Sequence, residues 1–413
     1  MSGWIDDAIW WQVYPLGFVG ADTTGGAVRG EPHRLRRLVP WLDQLIELGC
    51  NGLALGPIFA SSTHGYDTID HFRIDPRLGD EKDFDLLVRE CRARGIRVML
   101  DGVFNHVGRE HPRWLAAVSA GPGSQEAAWF LTDGSAGGEL RPAVFEGHDA
   151  LVTLNHENPE VEAFVSGVMG FWLDRGADAW RLDAAYAVPA GFWRRTIGPL
   201  RAGHPDAWFL GEMIHGDYAG YVAESGIDSV TQYELWKAIW SSINDHNFFE
   251  LAWALKRHAS LLEAFLPLTF VGNHDVTRIA SRLGDERDLG LALALLFFLP
   301  GTPSVYYGDE RGLRAIKEDR AGGDDAIRPS FPIDPAELPP NDVFRLHQRL
   351  IAFRRRNPWL ARATVSVETL RNEVLGLHAA GEGGQEARLA LNLSDEPVSS
   401  GGVTIEPHGW MLG

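Results

Sequence analysis

VMLDGVFNH, residues 98–106, runs a short apolar stretch into Asp101. The same pattern returns three times: AWRLD (179–183) ends at Asp183, FLGE (209–212) at Glu212 and TFVGNHD (269–275) at Asp275. Strands buried on both faces read as continuous apolar runs, and in a closed βα barrel the chemistry gathers where the strands end. The pattern predicts an α/β protein built on a (β/α)8 TIM barrel, with Asp183, Glu212 and Asp275 at one mouth as the candidate active site.

Outward from these stretches, apolar runs alternate with helix-length amphipathic segments, as repeated βα units require. Eight strands are expected, at 10–14, 52–55, 98–101, 179–183, 208–212, 229–231, 268–271 and 303–306. Apolar residues at helical spacing mark helices at 35–48, 84–94, 161–175 and 289–298, with a last barrel helix at 343–355. Between 107 and 157 the chain is rich in Gly, Ser and Pro with no sustained period, which predicts a short inserted domain after the third strand. Beyond Asn357-Pro358, the stretches TVSVETL, VLGLHA, ARLALNLS and VTIEP alternate like strands of a small antiparallel domain. The expected division is 1–106 and 158–357 for the barrel, 107–157 for the insertion and 358–413 for the C-terminal β domain.

The 413 residues suffice for one barrel with additions, and a hydrophobic share of 45% is globular. With 38 basic and 56 acidic residues the net charge is -18. That sign argues against nucleic acid or an anionic membrane as partner and is indifferent to a neutral substrate. Cys50 and Cys91, the only two cysteines, read as buried apolar residues and not as a disulfide. The N-terminal MSGWIDDAIWW lacks a basic start and cleavage site, and no run reaches the roughly 18 apolar residues of a membrane span, so a cytoplasmic location is expected.

Arg181 lies two residues before Asp183 and so points to the same face of its strand, where its guanidinium would hold that carboxylate ionised as a nucleophile must be. Glu212 ends the run AWFLG, where desolvation would raise its pKa and let it carry a proton. Two carboxylates tuned apart are what glycoside cleavage needs, and a close pair gives retention.

DGVFNH, WRLDAAY, FLGEMIHGD and FVGNHD resemble, in order, the four signature regions of the α-amylase family, glycoside hydrolase family 13. LVTLNHENPEV is similar to the region closing that family's inserted domain, and HGYD (64–67) to its substrate-stacking loop. The resemblance implies Asp183 as nucleophile, Glu212 as general acid/base and Asp275 as the group that binds sugar hydroxyls and stabilises the transition state. It further implies that Arg181 holds the nucleophile, that His106 and His274 donate to sugar hydroxyls, and that Tyr66 stacks on a sugar face. Asp67, paired with Arg328, would grip the non-reducing sugar; alternatively Arg328 pairs with Asp324 or Asp325. The matching Asp101 supports the barrel mouth in the family, and the matching Asn105 often helps bind calcium. No cofactor is required, while a structural calcium on Asn105, Asp133, Glu139, Glu146 or Asp149 stays open. Trp10, Trp11, Trp172, Trp180 and Trp193 are expected in the core. Trp129, Phe130, Phe145, Tyr233 and Trp236 are candidate walls of further sugar subsites.

The expected activity is a retaining hydrolase of α-1,4-glucosidic bonds in maltodextrins, with an oligosaccharide as the only partner implied. A transglycosylase sharing the intermediate is the alternative, and a non-catalytic carbohydrate-binding relative a more distant one. Oligomeric state is not encoded in any motif.

Overall fold

The computed structural model describes residues 3–25, 32–132, 140–320, 322–400 and 403–413. Eight short strands are β1 (Trp10–Val13), β2 (Gly52–Leu55), β3 (Arg97–Gly102), β4 (Ala179–Leu182), β5 (Trp208–Gly211), β6 (Ser229–Val230), β7 (Leu268–Phe270) and β8 (Thr302–Tyr306). Each expected strand is present, with its ends displaced by one residue at most. They pair in parallel in the order β6-β5-β4-β3-β2-β1-β8-β7, and a parallel bridge from Thr231 to Leu268 joins the two outer strands into a barrel.

Alternation along the strands divides the apolar side chains between two cores. Trp10, Ala54, Met99, Ala179, Trp208, Leu210, Leu268 and Phe270 point inward and fill the barrel. Trp10 and Trp208 stack there at 6.0 Å between centroids. Gly52 makes room for them: a Cβ on it would lie 2.4 Å from the Trp10 ring, closer than atoms can approach. Side chains of opposite parity, including Trp11, Val13, Leu53, Leu55, Trp180 and Leu182, pack outward against the helices. The helix Leu289–Phe298 has eight buried apolar residues and no polar face, as befits one enclosed between the barrel and the C-terminal domain. All five tryptophans assigned to the core are buried, and both cysteines are buried and free.

The helix expected at 35–48 is divided. A 3-10 turn at Arg34–Leu38 is followed by a helix at Trp41–Leu48 whose N-cap is Pro40, because a proline has no N–H to donate within a helix. The helix Glu81–Ala93 begins earlier than periodicity indicated, since Asp80 caps it and exchanges bonds with Asp83.

Two excursions leave the barrel mouth. After β2 a hairpin pairs Phe59–Ser61 with Thr68–Ile74. After β3 the chain pairs His106–Gly108 with Leu151–Thr153 and, between them, forms the helix Pro112–Ala120. The chain ends in a four-stranded antiparallel sheet of β9 (Thr364–Leu370), β10 (Val374–Ala380), β11 (Glu386–Asn392) and β12 (Gly409–Leu412), beside the ribbon Val398–Ser400 with Val403–Ile405. Among the described residues no helix is long and apolar enough to cross a membrane.

Candidate active site

The ends of β3, β4, β5 and β7 bring Asp101, Asp183, Glu212 and Asp275 around one buried cation. Nη1 of Arg181, on β4, lies 2.7 Å from both Asp101 carboxylate oxygens and 3.3 Å from Oδ1 of Asp183. Its Nη2 lies 2.6 Å from Oε1 of Glu212 and 3.9 Å from Oδ2 of Asp275. The i, i+2 relation of Arg181 and Asp183 put them on one face, as expected. The further reach to three other strands arises from barrel closure and had no signal in the local sequence.

Directly after Asp183 the backbone turns into the left-handed region at Ala184, φ 46°, an uncommon conformation for a residue with a Cβ. That turn aims the Ala184 N–H at Oε2 of Glu212, 3.0 Å away. The Tyr233 hydroxyl lies 3.4 Å from Oε1 of Glu212 and accepts a 2.8 Å bond from Asn273. Asn273 in turn accepts from the Asp275 N–H. Tyr233, expected only as a subsite wall, thus joins two of the acids, and Asn273 was missed altogether.

The electrostatics depart from the sequence reading. Burial and the neighbouring Glu212 carboxylate push Asp183 well above the usual carboxylate range, with Arg181 opposing them. Arg181 therefore does not by itself hold Asp183 ionised: it lies closer to Glu212 and Asp101. Burial likewise lifts Asp101 to about 6 despite Arg181. Asp275 behaves in the opposite way, since burial raises it but His274, Arg328 and Arg181 together outweigh that and hold it at about 2.

His274 receives a 3.1 Å bond from Gln12 on Nδ1, which leaves the proton on Nε2, 3.0 Å from Oδ2 of Asp275. Burial lowers it to about 3, so the ring is neutral at pH 7. Tyr66 lies parallel to His274 at 5.6 Å and 4°, and its hydroxyl bonds both His274 and Asp101. Both nitrogens of His106 are used inside the protein, Nε2 by the Tyr66 carbonyl and Nδ1 by Asn105. The expected donation from His106 to a sugar hydroxyl thus has no free N–H behind it, and the ring positions Tyr66.

Arg328 and Asp67 are not brought together. Both Asp67 oxygens accept from Thr63, at 3.1 and 2.6 Å. Arg328 instead binds Asp275 at 3.0 Å and Asp324 at 2.9 Å, donates through Nε to the His274 carbonyl, and covers the Tyr14 ring at 4.5 Å. Beside Asp275 opens a pocket of about 450 Å³ lined by His64, Tyr66, His148, Asp324 and Arg328.

The insertion reaches this mouth through Phe145, stacked on His106 at 4.8 Å, and Glu146, which accepts from Tyr186 at 2.7 Å. Trp129 and Phe130 are buried inside the insertion and line no subsite. Of the donors considered for calcium, Asp133 and Glu139 lie outside the described residues. Among the described residues, neither Glu146 nor Asp149 belongs to a group of three acids or histidines close enough to share a cation, and Asn105 is bonded to His106. The one such group, His33, Asp80 and Asp83, lies at a helix N-terminus where Arg36 and His33 occupy Asp83. Among the described residues, the candidate donors Asn105, Glu146 and Asp149 form no such cluster.

Residues 12–334 match the family model described as the catalytic domain of alpha amylase. A cyclomaltodextrinase from Geobacillus thermopakistaniensis is 30% identical, the alignment covering 95% of this chain and 70% of that protein. An intracellular maltogenic amylase from Bacillus subtilis (strain 168) is 29% identical over 85% of this chain and 62% of its own length. The ligand-free cyclic α-maltosyl-(1→6)-maltose hydrolase from Arthrobacter globiformis superposes with a TM-score of 0.87 at 28% identity, over 100% of this chain and 99% of that one. The matched segment contains every strand that delivers an acid to Arg181, and by that match the chain belongs to the α-amylase family of glycoside hydrolases.

Proposed function

We propose that the protein hydrolyses α-1,4-glucosidic bonds of maltodextrins with retention of configuration. The observation that carries this reading is the meeting of Asp183 and Glu212 on the two terminal nitrogens of one guanidinium, close enough for attack and protonation at one sugar. Burial and the neighbouring Glu212 carboxylate favour a proton on Asp183 before substrate binds. A glycosidic oxygen docking beside Glu212 accepts a hydrogen bond from the protonated form only, so substrate binding draws that proton to Glu212 and leaves Asp183 ionised. Glu212 then transfers the proton to the departing oxygen as Asp183 bonds to C1. A water, giving its proton back to Glu212, displaces Asp183 and releases the sugar with its original configuration. Asp275 stays ionised throughout, is oriented by His274, faces the sugar hydroxyls and supports the positive charge that grows on the ring. Tyr66 offers its face to the sugar C–H groups.

The insertion, taken as 107–157, walls the Tyr66 side of the mouth in this reading, with the C-terminal domain at 358–413. Likeness to an enzyme called intracellular supports a cytoplasmic location. A second reading has one specific observation in its favour: a solved structure that matches this chain end to end is a hydrolase of a cyclic maltosyl-(1→6)-maltose. Incubation with maltoheptaose, a cyclomaltodextrin and that cyclic tetrasaccharide, with products separated by size over time, tests both. Shorter linear products from maltoheptaose, absent with Asp183→Asn, are expected. Cleavage of the cyclic tetrasaccharide alone would replace the first reading with the second. Products longer than the starting chain would mark a transglycosylase.

A further inference from the structure

Arg328 comes from the chain that follows β8, well past the strand end, yet its Nη2 meets both Asp275 at 3.0 Å and Asp324 at 2.9 Å while its Nε donates to the His274 carbonyl at 2.9 Å. A displacement of about 1 Å would take these contacts outside hydrogen-bonding range. The backbone is held on both sides of it. The Ile327 carbonyl accepts two bonds, one from Nη2 of Arg278 at 2.8 Å and one from the Tyr306 hydroxyl at 3.0 Å. The Pro329 carbonyl accepts from the Tyr307 hydroxyl at 2.8 Å. The carbonyl of Arg328 itself faces Gly17, where a Cβ would come within 2.3 Å of its oxygen. Arg278 is fully buried, with Nη1 donating to the Tyr307 carbonyl at 2.9 Å and to Asp309 at 2.7 Å, and its guanidinium lies over the Tyr306 ring at 4.6 Å.

We propose that Arg278 is a positioning residue for the reaction, which together with Tyr306 and Tyr307 clamps the carbonyls flanking Arg328 and so holds that arginine against Asp275. The inference rests on the hydrolase reading and deepens it. Asp309 already balances the charge of Arg278, so the bond from Nη2 to Ile327 is not needed to neutralise a buried cation. One donor would satisfy the Ile327 carbonyl, but it has two, reaching it from the loop after β7 and from the end of β8, and two directions fix a point that one leaves free to swing. The guanidinium is a planar fork, so its two nitrogens tie the Tyr307 and Ile327 carbonyls at a set spacing. Arg278 also stands three residues after Asp275 in the same loop. The acid and the group that fixes its arginine partner are therefore carried by one segment. Arg328 holds Oδ1 of Asp275 at the edge of the pocket beside Tyr66, so loosening the clamp weakens the hold on the sugar there.

The test measures kcat and KM on maltoheptaose for wild type, Arg278→Lys and Tyr306→Phe, each also combined with Arg328→Ala. Arg278→Lys keeps a charge beside Asp309 but cannot span both carbonyls, and Tyr306→Phe keeps the ring and removes one of the two donors to Ile327. For Arg278→Lys the KM rises about fivefold, and for Tyr306→Phe about twofold, with kcat within about twofold of wild type. In the Arg328→Ala background neither substitution raises KM further, because the side chain they position is gone. Increases in KM that multiply in that background would show a general structural role and overturn the inference, as would an unchanged KM in the single variants. Where Arg278→Lys does not fold, Tyr306→Phe decides the question by the same cycle. Wild-type protein inert on maltoheptaose overturns the hydrolase reading and the positioning role with it, whereas active protein with an unchanged KM in the variants overturns the positioning role alone.

Discussion

Replacing Arg181 by methionine removes the one cation shared by the acids, and the contacts it makes set the size of the effect. The guanidinium makes charge-assisted contacts with Asp101 at 2.7 Å and Glu212 at 2.6 Å, and a longer one with Asp183 at 3.3 Å. Each such contact favours the ionised acid by about 1.5–3 kcal/mol, or about one to two pKa units. The active form of Asp183 and Glu212 carries one proton between them, so kcat/KM rises as the first proton leaves and falls as the second leaves. Losing Arg181 disfavours negative charge at both steps, and both limbs of the bell move to higher pH by about one to two units. Stability carries the same sign. Asp101 is raised to about 6 even with Arg181 present. A buried acid whose folded pKa lies above its unfolded value costs stability as pH rises through that interval, and without Arg181 the interval widens upward. Arg181→Met therefore loses about 3–5 kcal/mol at pH 7, and less at pH 5, where the acids take up protons. Arg181→Lys keeps the charge and serves as the folding control. Profiles of kcat/KM against pH and urea unfolding at the two pH values measure both effects. A bell lowered in height but fixed in position would refute the electrostatic role and leave Arg181 a purely geometric part.

Arg328→Ala releases Asp275 and Asp324 and uncovers Tyr14. The expected outcome is a KM for maltoheptaose about tenfold higher with an altered product distribution, read by chromatography; an unchanged distribution would rule out a gating role for this arginine. Arg354 is buried with no acidic partner among the described residues and donates to the carbonyls of Phe297, Leu299 and Gly301 at 3.3, 2.9 and 2.6 Å, where the helix Leu289–Phe298 runs out of internal donors. Arg354→Met leaves those carbonyls unpaired and costs about 3–5 kcal/mol in urea unfolding, with kcat of the folded fraction unchanged.

The barrel was legible because its strands are buried on both faces: GLAL at 52–55 and WFLG at 208–211 are uninterrupted apolar runs, and both are strands with every residue buried. Acids at the ends of such runs were legible for the same reason. What remained hidden depends on which strands become neighbours. Tyr233 reaches Glu212 and Asn273 because β6 and β7 close the barrel, a relation absent from any window of sequence around Tyr233. Asp67 looked available to Arg328, but Thr63, four residues away in the same loop, occupies both its oxygens. Trp129 and Phe130 carry the composition of a sugar platform, and only their packing, Phe130 on Trp114 and Trp129 on Phe164, removes them from the surface.

The division of cations among the acids accounts for three carboxylates doing three different things. Asp275 has two cations, Arg328 at 3.0 Å and Arg181 at 3.9 Å, with the N–H of neutral His274 at 3.0 Å beside them, and together they overcome its burial. Asp183 and Glu212 have only Arg181 between them, and Asp101 draws on the same nitrogen that faces Asp183. One guanidinium cannot neutralise three buried carboxylates, so charge balance retains a proton among them. That proton is the one the leaving oxygen requires. A second cation placed beside Asp183 would oppose the burial that keeps a proton on it. Asp275 needs no proton and can accept full compensation. Its pair of oxygens is correspondingly split, Oδ1 to Arg328 and Oδ2 to His274, which fixes the carboxylate plane before a sugar arrives.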